Sequence, residues 1–104
     1  MNRIRLSYPT VDDQTISDLT HTLKSGWFGN GPKTAELEEA LAKRIGKKYC
    51  VCTNSGTAAL HLALIAYDIK GGELITTPLT FVADAIVGLY QGMDITFADI
   101  KEDD

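Results

Sequence analysis

Tyr49-Cys50-Val51-Cys52-Thr53-Asn54-Ser55-Gly56-Thr57-Ala58-Ala59-Leu60 decides the fold class of this chain. Tyr49–Thr53 has the composition of a strand, and an almost wholly apolar helical run, Ala58 to Tyr67, leaves the Ser55-Gly56-Thr57 corner. A strand that turns through small residues into a helix is the first half of a βαβ unit. At the corner the first helical N–H groups lack an intrahelical partner, and the positive end of the helix dipole adds to their pull on an anion. Gly56 lets a ligand approach the backbone and Thr57 adds a hydroxyl, which favours phosphate. The plain alternative is an ordinary serine N-cap with a glycine for tight packing. The corner is not a Walker loop, because no lysine follows it, and the chain has no G-x-G-x-x-G.

Strand and helix continue to alternate downstream. Gly71-Gly72 predicts a turn, Glu73–Thr77 a second strand, Thr80–Gln91 a crossover helix stopped by Gly92, and Asp94–Ala98 a third strand. Two successive βα units of this length predict an α/β fold with right-handed crossovers. In a parallel-type sheet, both strand-to-helix corners would lie at carboxyl ends of strands, where ligands bind. The second corner, Thr76-Thr77-Pro78-Leu79-Thr80-Phe81, places Phe81 in the first turn of its helix. A phosphate at one corner and an aromatic at the other would hold a planar, phosphorylated ring. The plain reading makes Phe81 a core residue.

Upstream, the pattern is helical. Thr10 is the expected N-cap of a first helix carrying Ile16, Leu19 and Leu23, with Gly26 as its stop. After the glycine-rich Trp27–Pro32 loop, Pro32 opens a second helix with Leu37, Leu41 and Ile45 on one face, ending near Gly46.

The 104 residues suit one small domain, with 44% hydrophobic and 23% charged residues. A net charge of −4, with no basic stripe beyond Lys43-Arg44 and Lys47-Lys48, argues against a nucleic-acid surface. No apolar run reaches membrane-spanning length, and Met1-Asn2-Arg3-Ile4-Arg5 opens no signal peptide, so a cytoplasmic location is expected. Cys50 and Cys52, spaced i, i+2 on a strand, read as two buried cytosolic thiols rather than a disulfide or zinc pair. His61 reads as a satisfied core or interface histidine and His21 as solvated surface. Asp84 is a polar helix position, and Asp94 and Asp99 are strand-end residues. No catalytic triad or paired-carboxylate spacing stands out.

Asn54 through Leu64 is similar to the phosphate-binding turn of the DegT/DnrJ/StrS sugar aminotransferases, pyridoxal-phosphate enzymes of the aspartate-aminotransferase fold. The resemblance continues through Gly31-Pro32-Lys33 with Leu37-Glu38-Glu39, Glu73 through Ala83, Tyr90-Gln91-Gly92 and Phe97-Ala98-Asp99, in order and at the expected spacings. It implies the start of the large domain of a fold-type-I pyridoxal-phosphate transferase. A helical N-terminal segment over 1–48 would precede an incomplete α/β cofactor-binding domain over 49–104, ordered β-α-β-α-β. Gly56, Thr57 and Ala58 would bind the cofactor phosphate through backbone amides and the Thr57 hydroxyl, and Phe81 would stack on the pyridine ring. Two departures stand out: Gly72 replaces the aspartate of a Gly-Asp-Glu turn, and Asp84 replaces a frequent threonine. The family's Schiff-base lysine and ring-nitrogen aspartate would fall beyond Asp104, and none of the seven lysines here has the family's lysine context. No catalytic residue or metal ligand is assigned.

The resemblance therefore implies the N-terminal portion of an aminotransferase acting on nucleotide-linked keto sugars, inactive by itself and a homodimer when full length. A nucleotide-sugar substrate and an amino donor, typically glutamate, would be its small-molecule partners. One alternative is a non-catalytic remnant or small interaction module that keeps a phosphate-binding turn. Another is a pyridoxal-phosphate sugar dehydratase. In the family's sheet the neighbours of Tyr49–Thr53 come from later sequence, so open strand edges and an exposed apolar face are expected.

Overall fold

A computed structural model describes residues 7–101, so the readings made on residues 1–5 and on 102–104 lie outside the described residues. It contains α1 (Asp13–Lys24), α2 (Pro32–Arg44), α3 (Gly56–Ala66), β1 (Glu73–Thr76), α4 (Ala83–Tyr90) and β2 (Asp94–Phe97). The elements fall into two compact units, Met1–Cys50 and Val51–Asp104.

In the first unit, α1 starts two residues later than Thr10 would place it. Asp12 is the N-cap, and its carboxylate accepts from the Thr15 amide at 2.8 Å and from the Thr15 hydroxyl at 2.7 Å. Those bonds favour the ionised form and hold the Asp12 carboxyl below its ordinary range. Thr10 has no threonine three residues ahead to complete such a cap. The helix ends where Gly26 takes φ +78°, a left-handed conformation that costs glycine little. Gly31 and Pro32 open α2 as its N-cap and first residue. Lys47 donates to the Ala42 carbonyl and Gly46 to Lys43, a Schellman closure. Ala42 is the buried residue of α2, while Leu19, Leu23, Leu37 and Ile45 are each more than half exposed.

The second unit is built on a short parallel pair. β1 and β2 run Glu73↔Asp94 to Thr76↔Phe97, and α4 crosses between them in sequence. Alternation sends Leu74 and Ile95, which are opposite each other, toward α4. Gly88 makes that approach possible: a Cβ there would lie 2.8 Å from Ile95 Cδ1 and 3.0 Å from Leu74 Cδ1. Ala83, Val87 and Gly88 are the buried positions of α4, and α3 packs against α4. The α4 end is a second Schellman closure, with Met93 donating to Gly88 and Gly92 to Leu89.

The expected α/β class and helical opening are present, but three local expectations are corrected. Residues 49–53 form no strand, because no segment among the described residues pairs with them. The sheet has two strands, and the order after α2 is α-β-α-β rather than β-α-β-α-β. The second crossover helix begins at Ala83, not Thr80. Pro78 lacks an N–H, and the Leu79 amide donates sideways to Thr77 Oγ1, so residues 77–80 bend instead of winding. Finally, Cys50 and Cys52 form no disulfide, as expected, but are half-buried rather than buried, as follows from a segment with no sheet around it. No helix among the described residues is long and apolar enough to cross a membrane.

Candidate functional site

The start of α3 is tied down from both sides. Ser55 is extended, with φ −158° and ψ 156°, and its Oγ accepts the Ala58 amide at 3.1 Å. Its carbonyl receives the Thr53 hydroxyl at 2.8 Å and the Ala59 amide at 3.1 Å. These bonds satisfy two of the early amides of α3 and leave those of Gly56 and Thr57 without a hydrogen-bond partner among the described residues. A Cβ built on Gly56 meets nothing within 4 Å, so the space in front of these amides is open. The Thr57 side chain is half-buried at the same corner. Of the three expected phosphate contacts, the Ala58 N–H is the one already engaged within the chain.

At the second corner Phe81 sits outside its helix, two residues before Ala83. The plain reading of Phe81 as a core residue is excluded, since it is 73% exposed. Its neighbours are fixed: the Thr80 hydroxyl donates to the Asp84 carboxylate, and the Asp84 amide donates to the Phe81 carbonyl at 3.1 Å. Asp84 is the polar helix position expected, in the first turn of α4, where its charge suits the positive end of the helix. This corner follows the carboxyl end of β1, whereas the Ser55 corner follows a segment that is not a strand. The helix behind Ser55 is less enclosed than its apolar sequence suggests. No residue of α3 is buried, and Leu62 and Ile65 are about half exposed.

Two contacts escaped the sequence reading. The Gln91 side-chain amide donates to His61 Nε2 at 2.7 Å, and the Tyr90 ring lies 5.3 Å from the imidazole, tilted by 58°. His61 is satisfied, as expected, but its partner comes from the far end of α4, a separation of 30 residues that no local pattern encodes. The indole of Trp27 packs on Gly31, where a Cβ would fall 2.9 Å from Cε3. A glycine four residues after a tryptophan in a loop was the available signal. Among the described residues, no group of three or more His, Cys, Asp or Glu side chains could hold a metal ion.

Open amides at a helix start favour an anionic ligand, and the same α/β unit bears an exposed aromatic at its second corner. Comparison with known proteins narrows this. The chain belongs to the DegT/DnrJ/EryC1/StrS aminotransferase family, whose sequence profile matches residues 9–104. It is 44% identical over 97 residues to the spore coat polysaccharide biosynthesis protein SpsC of Bacillus subtilis, covering 92% of this chain and 25% of that one. It is likewise 44% identical over 100 residues to a UDP-4-amino-4,6-dideoxy-N-acetyl-beta-L-altrosamine transaminase of Campylobacter jejuni, covering 96% of this chain and 27% of the relative. A Streptococcus pneumoniae protein described as a candidate sugar aminotransferase and solved in its PLP form superposes with a TM-score of 0.87 at 36% identity. That match covers 99% of this chain and 26% of the other. The chain therefore has the fold of the start of the large domain of these transferases, and it spans about a quarter of the length of the relatives it matches.

Proposed function

We propose that this chain supplies the phosphate-binding corner and the ring-facing aromatic of the pyridoxal-phosphate site in a sugar-nucleotide aminotransferase. The observation that carries this is the α3 start, with the Gly56 and Thr57 amides unengaged and open space at the Gly56 Cβ position. The residues present fit the phosphate end of that cofactor: two open amides, the Thr57 hydroxyl and a helix dipole favour a dianion, and a Cβ built on Gly56 would meet nothing within 4 Å. An arriving phosphate would compete with Ser55 Oγ for the Ala58 N–H, bringing Ala58 into the same cradle. Phe81, exposed and held by the Thr80–Asp84 bond beside it, would supply a flat apolar wall for the ring. When bound, pyridoxal phosphate supplies the electron sink through which an amino group moves between donor and acceptor.

In the whole enzyme the amino group would pass between an amino donor such as glutamate and a keto sugar carried on a nucleotide, as part of amino-sugar biosynthesis in the cytoplasm. The names of the relatives and the family match support this reading. This chain binds and orients; the covalent step belongs to a lysine outside it. Equilibrium dialysis against pyridoxal phosphate and pyridoxal, followed by borohydride reduction and peptide mapping, tests both parts. Retention of the phosphorylated form alone, with no single lysine trapped, is the expected result. Equal retention of both forms would remove the phosphate corner, and trapping at one specific lysine would overturn the division of labour.

A further inference from the structure

We propose that the cavity beside Trp27 binds the pyrimidine nucleoside part of a nucleotide-linked ligand, with the indole as its stacking wall. The proposal rests on the nucleotide-sugar reading above and adds a site to it. The cavity measures about 400 Å³, a size ordinary for small-molecule sites. It is formed within the first unit by His21, Thr22 and Ser25 at the end of α1, by Trp27, and by Lys33 and Glu36 near the start of α2.

The indole is both exposed and seated. Trp27 is 57% exposed, yet ring atoms Cε3, Cδ2 and Cγ lie 2.9, 3.1 and 3.3 Å from where a Gly31 Cβ would stand. Gly31 has φ −156°, extended backbone open to any residue, so its glycine serves room for the indole rather than conformation. A flat apolar ring held against backbone and open to a cavity is a stacking platform, and bases stack on such platforms.

The polar groups at the cavity suit a ring that carries both carbonyls and an N–H. The Thr22 hydroxyl spends its proton on the Asp18 carbonyl at 2.9 Å, and the Ser25 hydroxyl spends its own on Thr22 O at 2.7 Å. The Thr22 oxygen is left as an acceptor for a ring N–H, and the Ser25 oxygen, which also accepts the Trp27 amide at 3.4 Å, keeps one lone pair. Lys33 Nζ donates to Glu36 at 2.7 Å and keeps further N–H groups for a ring carbonyl. The Lys33 and Glu36 charges offset each other, so the cavity is not built for a phosphate. A neutral uracil-like edge with alternating acceptors and one donor matches this set.

Trp27 is the only tryptophan in the chain, so its fluorescence reports on the site directly. The full chain is titrated with uridine, UDP and inorganic pyrophosphate, exciting at the red edge of the indole band. Uridine and UDP should each change the emission saturably in the millimolar range or below, and pyrophosphate should not. G31A, which pushes the indole off its seat, and T22V, which leaves the seat and removes an acceptor, should each weaken uridine binding by about tenfold (about 1.4 kcal/mol). Far-UV circular dichroism identifies a variant that has merely lost its helices, and the T22V result then decides. Failure of uridine and UDP to saturate, a response to pyrophosphate alone, or T22V binding uridine like the parent would each overturn the proposal. Pyridoxal phosphate retention is measured separately, so failure here leaves the phosphate-corner reading standing, and failure there leaves this one.

Discussion

Ser55 Oγ accepts the Ala58 amide at 3.1 Å, so the residue that caps α3 occupies one amide of the corner expected to hold a phosphate. Capping and anion binding draw on the same few N–H groups, and at Ser55 the two roles can be separated by mutation. S55A should destabilise α3 by about 1 kcal/mol, seen as lost helicity. S55D should keep the cap while its carboxylate repels a phosphate dianion, so helicity is retained and pyridoxal phosphate binding falls. If S55D binds as well as the parent, the phosphate does not sit at this corner.

Gly88 sets the distance between α4 and the strand pair. A valine Cβ there would meet Ile95 Cδ1 at 2.8 Å and Leu74 Cδ1 at 3.0 Å. Overpacking of this kind costs about 1–3 kcal/mol, and G88V should show that loss in denaturant unfolding. A neutral G88V would mean that the helix–sheet contact is loose in solution.

The Asp12 cap makes α1 sensitive to acid. Hydrogen bonds from the Thr15 hydroxyl and amide lower the Asp12 pKa in the folded state. A depressed carboxylate contributes stability that is full above its unfolded pKa of about 3.9 and is lost as pH falls through the lower folded value. Helicity from α1 should therefore decline below about pH 4, and D12N, which caps without titrating, should flatten that decline. A D12N profile that overlays the parent would assign the acid transition to other groups.

Much of this architecture is legible residue by residue in the sequence, and what is not legible depends on distant partners. Gly26, Gly46 and Gly92 stop their helices as expected because each takes positive φ, a local property. The third helix stops without such a glycine: Asp68 takes φ 53° while Ile69 donates to Leu64, the same closure with a residue that tolerates it less well. The strand pair was legible from alternation, but the strand expected over 49–53 was not realised, since a strand exists only through a neighbour. Phe81 was recognised as the aromatic of the second corner and misplaced by two residues, because the bend after Pro78 depends on the Thr77 hydroxyl. The α3 run is almost wholly apolar yet holds no buried residue, because apolarity predicts burial only when a covering element is present.

That exposure has a measurable consequence. Leu62, Ile65, Ile75 and Phe97 are each about half exposed or more, and a parallel sheet with an open face is rare in isolation. Purified alone, the chain should self-associate or unfold over a broad range by ultracentrifugation and calorimetry. A sharp, monomeric two-state transition would show that the second unit is self-sufficient.

The central claim is that the α3 start is a phosphate cradle, and amide-resolved NMR tests it most directly. Titration with pyridoxal phosphate should shift the Gly56 and Thr57 amide resonances saturably, with Ala58 following as the Ser55 bond is displaced, while pyridoxal leaves them unmoved. Shifts confined to other residues, or identical shifts with the unphosphorylated compound, would contradict the account.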